Sequence, residues 1–146
     1  MSVTALQGRG FLQRNSVTVA FTGAANLGAI GNVPLFTVTG EVYIALLVPI
    51  VTETLVGATA TLALGVTNST ALFIAATTAT NLATGEFWTE STGGGTANAG
   101  VDLPTALLDV AVTSNIVGTV ATAAITDGTI RFDCYWLPLS SDGLVA

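Results

Sequence analysis

From Leu35 to Val51 the chain reads LFTVTGEVYIALLVPIV, and its polar or special positions crowd at the start: Thr37, Thr39, Gly40 and Glu41. From Val42 onward both alternating sets are apolar. Val42, Ile44, Leu46, Val48 and Ile50 form one set, and Tyr43, Ala45, Leu47, Pro49 and Val51 the other. A strand sends successive side chains to opposite faces, so this strand needs cover on both. A second sheet of the same chain covers one face. The other face calls for a loop, a third layer or a neighbouring subunit.

The rest of the pattern also predicts strands. Ser16 to Phe21 alternates, with Val17, Val19 and Phe21 inward. A Gly-, Ala- and Asn-rich connection, 23–32, leads through Pro34 into the central strand, which Gly40 is placed to bend. Thr52 to Gly57 reads as a turn, Ala58 to Val66 as a strand, and Thr67 to Thr70 as a turn. Asn68-Ser69-Thr70 spells a glycosylation acceptor but is read as that polar turn. Ala71 to Ala76 returns as a strand, and Thr77 to Thr84 fits strand or loop. Glu86 to Glu90 gives a short strand signal, and Ser91 to Gly100, with Gly93-Gly94-Gly95, an exposed loop.

Asp102-Leu103-Pro104 opens one helical turn, with Asp102 as its cap, followed by a strand. Asn115 to Ile125 and Thr129 to Leu139 read as a hairpin about Asp127-Gly128, a dipeptide that favours positive φ. In its second strand Ile130, Phe132, Cys134 and Trp136 share a face. The expected fold is therefore all-β: a β-sandwich or jelly-roll-like domain of about eight strands. It spans 16–146 and follows an extended N-terminal arm, 1–15.

Composition sharpens the question of what covers the second apolar face. Of 146 residues 51% are hydrophobic and only 8% charged, against roughly 25% in ordinary soluble domains. Burial in an assembly accounts for so bare a surface. Glu41 and Pro49 break the longest apolar run, which excludes a spanning helix of about 20 residues. A membrane barrel would show aromatic girdles that the ten aromatics here do not form. No membrane role is expected. Nor is a cleaved leader, since MSVTALQGRGF has no basic segment followed by a long apolar one.

The net charge of −6 is unevenly sorted. Residues 1–40 carry Arg9 and Arg14 and no acid, whereas 41–146 carry nine acids and only Arg131. An acidic body without Lys cannot neutralise phosphates, so no nucleic-acid partner is expected. The basic arm points instead to an acidic neighbour: Arg9 and Arg14 would meet acids there, while Phe11 and Leu12 fill an apolar groove.

Catalysis finds little to work with. The chain has no His and no Lys, which removes the usual general base, the commonest metal ligand and the phosphate-loop cation. Cys134 is a lone cysteine on an apolar face, which reads as a small buried hydrophobe. Glu86 and Glu90 flank Phe87-Trp88, but they read as solvated charges beside an aromatic rather than a glycosidase pair. Sugar binding by stacking on Trp88 or Trp136 is an alternative. Arg131 and Asp133 read as a local ion pair. No enzyme activity, cofactor or metal is expected.

Leu35–Glu41 (LFTVTGE), Gly128–Gly143 (GTIRFDCYWLPLSSDG) and the middle stretch AATTATNLATGEFW resemble small β-rich structural proteins of tailed bacteriophages, capsid decoration (cement) proteins among them. The resemblance implies a non-enzymatic virion protein, made in the host cytoplasm and placed on the capsid surface. It implies oligomers, a trimer being favoured, that clamp the major capsid protein. A tail or fibre component is the other structural alternative. The expected interface combines Arg9, Phe11, Leu12 and Arg14 of the arm with Tyr43, Leu47 and Val51 on one face of the central strand.

Overall fold

Alternating apolar positions without helical periodicity give strands and almost nothing else. The computed structural model describes residues 12–146. In chain order the strands are β1 (Gln13–Ala20), β2 (Gly31–Phe36), β3 (Val38–Thr39), β4 (Val42–Val56), β5 (Thr61–Val66) and β6 (Ser69–Thr78). Then come β7 (Trp88–Glu90), β8 (Gly93–Gly94), β9 (Leu108–Val112), β10 (Ile116–Ala121), β11 (Asp127–Pro138) and β12 (Leu144–Val145). Two 3₁₀ turns, Ala79–Asn81 and Thr105–Leu107, complete the regular structure. Neither is long enough to cross a membrane, nor is any other helix among the described residues.

The long strands form two four-stranded antiparallel sheets, β1-β11-β4-β9 and β2-β10-β5-β6. Set aside the short β3, β7, β8 and β12 and count the long strands from one to eight in chain order. The sheets then run 1-8-3-6 and 2-7-4-5, the strand order of a jelly roll. Inward side chains of both sheets make one core. Val19, Ile44, Leu47, Phe132 and Trp136 come from the first sheet, and Val33, Leu62, Leu64, Ile116 and Val120 from the second.

Several local readings change. Asp127-Gly128 is not a hairpin turn, because β10 and β11 belong to opposite sheets. The five residues between them arch from one sheet to the other. Ile125 plugs the end of the core, its N–H bonded to the Gly28 carbonyl at 2.8 Å. Gly128, at φ +102°, opens an irregularity at the start of β11 that lets it lie on Leu55. A Cβ there would sit 2.6 Å from the Leu55 Cα. Nor is Thr52 to Gly57 a turn: β4 runs on to Val56. The helical turn before β9 does form, at Thr105–Leu107, with Pro104 rather than Asp102 at its start and no side-chain cap.

The arm boundary moves as well. Gln13, Arg14 and Asn15 are already paired, opposite Trp136, Tyr135 and Cys134. Only Leu12 of the described residues precedes the sheet. Arg9 and Phe11 lie outside the described residues.

Candidate functional site

The face that needs explaining is the outer one of the β1-β11-β4-β9 sheet. Strict alternation along β4 would put Leu46 and Leu47 on the faces of Val42 and Tyr43 respectively. The strand instead carries an extra residue, Ala45, where Tyr135 pairs with Leu46 and Trp136 with Ile44. A bulge inverts the parity of everything beyond it. Val42 and Ile44 therefore point inward together with Leu47, Pro49 and Val51. Leu47 and Val51 are fully buried in the chain's own core, so neither is open to a partner, which corrects the expected interface. Its outward members are Tyr43, Leu46, Val48 and Ile50, all half-buried. Tyr135 and Leu137 of β11 and Leu108 of β9 continue the apolar surface.

An ion triad borders this surface. Asp133 pairs with Val48 on one side and Ser16 on the other, and only 8% of it is exposed. Arg14 Nη2 donates to its Oδ1 at 2.6 Å, and Arg131 Nε to its Oδ2 at 3.0 Å. Burial pushes the Asp133 carboxyl up. The Ser16 hydroxyl, the hydrogen bond and charge of Arg131 and the charge of Arg14 outweigh that and hold it below the ordinary 3.8. The sequence anticipates Arg131 with Asp133, two residues apart. It gives no local sign of Arg14, which the register of β1 brings from 119 residues away. At the other border the Tyr43 hydroxyl donates to the Asp109 carboxylate, and that hydrogen bond first, then burial and the Asp109 charge, raise the phenol above its usual range.

The remaining candidates resolve into structure. Trp88 is wholly buried, its indole N–H donating to Thr77 Oγ1 at 2.9 Å. Trp136 is 2% exposed and donates to Asn15 Oδ1 at 2.8 Å. Neither offers a ring face to a sugar, so stacking on either tryptophan is set aside. Glu86 accepts the Ala83 N–H, whereas Glu90 is exposed at the end of β7. Glu90 and Asp102 instead line an open groove of about 260 Å³ with Gly94, Gly95, Val101 and Pro104. Among the described residues no three His, Cys, Asp or Glu side chains converge to hold a metal. Cys134 is buried, and desolvation pushes its thiol up to about 12.

The fold and this face define an all-β sandwich with jelly-roll strand order, in which one strand, β4, is apolar on both sides. No known family, curated protein or solved structure matches the chain.

Proposed function

We propose that this chain is a non-enzymatic virion subunit, a capsid decoration protein of a tailed bacteriophage, that self-associates as a trimer and clamps the major capsid protein at the capsid surface. The observation that carries the proposal is the row Leu46, Val48 and Ile50: apolar, half-buried in the chain alone and in the middle of the sheet's outer face. Exposed apolar surface of this kind, rimmed by charges, marks association sites. Burying it contributes roughly 25 cal/mol per Å² before the cost of association. Two of the stretches that carry the phage resemblance, Leu35–Glu41 and Gly128–Gly143, also meet in space. Glu41 of the first accepts backbone bonds from Leu139 and Ser140 of the second at 2.9 and 3.2 Å. Jelly rolls occur in viral capsid and lectin domains alike, so the strand order is compatible with this role without selecting it.

Electron microscopy of native particles tests the proposal, with the protein located by a bound antibody fragment. Copies spread over the shell support decoration. Copies confined to the tail make it a tail or fibre component, and absence from particles overturns both. Light scattering at micromolar concentration tests self-association separately, and a stable monomer there counts against the trimer.

A further inference from the structure

The sheet has an open edge as well as an open face. Each four-stranded sheet has two edge strands: β1 and β9 in one, β2 and β6 in the other. Three are blunted. Proline at position 34 removes a donor from β2. Asp109, at φ +56°, kinks the five-residue β9. Packed against β6 are β7 and the 3₁₀ turn Thr105–Leu107. In contrast β1 runs for eight residues, QRNSVTVA, in unbroken register with β11. It has no Pro, Gly or bulge, and its one charged side chain, Arg14, is drawn onto Asp133 of its own sheet rather than left free to guard the edge. Among the described residues nothing pairs with its outer side.

Which backbone groups are open follows from one bond. Phe21 N–H donates to the Gly128 carbonyl at 2.9 Å, in register with Ala20 opposite Thr129. Hydrogen-bonded and non-hydrogen-bonded pairs alternate along an antiparallel ladder. The odd residues of β1 therefore bond β11, and Arg14, Ser16, Thr18 and Ala20 turn their N–H and C=O groups outward.

We propose that this edge pairs antiparallel with β1 of a second copy, about a two-fold axis at Val17, joining two outer sheets into one. The occupant follows from self-complementarity. With Val17 opposite Val17, Arg14 faces Ala20 and Ser16 faces Thr18, so every open group finds a partner. Sliding by one pair strands groups on both copies, and the register that sets Arg14 against Arg14 places like charges together, which is unfavourable. Edge pairing lies in the plane of the sheet and leaves the outer face free, so it can link copies already joined through that face. It does not depend on the decoration role.

Two variants of the full chain test it. Val17→Cys in a Cys134→Ala background puts two thiols in a non-hydrogen-bonded pair with Cα atoms about 4.5 Å apart, a spacing a disulfide accepts. A disulfide-linked dimer should form under mild oxidation. Thr18→Pro removes an outward N–H and no intrachain bond, since proline is tolerated on an edge. It should keep the circular dichroism of the parent and weaken two-fold association at least tenfold in sedimentation equilibrium. Folded Val17→Cys protein that stays unlinked overturns the proposal, because two Val17 positions then do not meet at the spacing this register requires. So does a folded Thr18→Pro variant that associates as well as the parent.

Discussion

Leu46 and Leu47 are neighbours in sequence with opposite fates, and replacing each by alanine tests the bulge that separates them. Leu47 has no exposure and sits opposite Cys134 in the core, whereas Leu46 is half-buried opposite Tyr135 on the outer face. Truncating a fully buried leucine removes its transfer energy and leaves a cavity, for a loss of about 3 kcal/mol. At about 3 °C per kcal/mol for a chain of this size, Leu47→Ala should melt roughly 10 °C lower. Leu46→Ala loses only part of a half-covered side chain, on the order of 1 kcal/mol or less, but it should weaken self-association. Urea unfolding at low protein concentration gives the first pair of numbers, and sedimentation at higher concentration the second. Unbroken alternation from Val42 makes the opposite assignment, with Leu46 inside. If Leu46→Ala is the more destabilising variant, the bulge at Ala45 and the outer face built on it are both wrong.

Cys134→Ala should leave assembly intact and cost about 1 kcal/mol, since only a small cavity is left; burial of the thiol should make labelling of the native protein slow, and rapid labelling contradicts it. Thr77→Val should cost about 1–3 kcal/mol in urea unfolding, because it leaves the buried Trp88 N–H without an acceptor. Thr77→Ser keeps the hydroxyl and should recover most of the loss, so equal losses in the two variants would show that the hydrogen bond contributes nothing.

The strands that sequence reads well are those with one wet face. Val17 and Val19 alternate with Ser16 and Thr18, and Ile130 to Trp136 alternate with Arg131 and Asp133; both sets point as expected. Where both faces are apolar, parity carries no signal. Nothing in VYIALLVPIV marks Ala45 as the extra residue, so Leu47 and Val51 fall on the wrong side of a simple count. Asp127-Gly128 misleads for a related reason. A tight turn and a bulge both call for glycine at positive φ, and only the second sheet, assembled from distant residues, decides between them. The tryptophans are alike: their partners Thr77 and Asn15 lie 11 and 121 residues away, and burial depends on packing that no local window contains.

The two proposed association surfaces share one anchor, and acid should act on it. Arg14 is the sole charge on β1, tied to Asp133 across the strand pair, while Asn15 is tied to Trp136 on the inner side. These contacts pin the first residues of an edge strand that would otherwise fray. The folded-state pKa of Asp133 is lowered, so its contribution is complete above the ordinary 3.8 and disappears as pH falls through the folded value. Protonation releases Arg14 and Arg131 together. Their side chains are 49% and 44% exposed, so screening by solvent limits the combined effect to about 1 kcal/mol. Asp133→Asn removes the titration while keeping the shape. The variant should therefore be less stable than the parent at neutral pH and converge with it in acid, since the other acids titrate alike in both. Two-fold association should weaken in the parent over the same range, as the released end of β1 loses the straight edge that pairing needs. If the gap between parent and Asp133→Asn is unchanged from about pH 6 down to the acid limit of folding, the triad is a surface ornament and β1 is held by its backbone ladder alone.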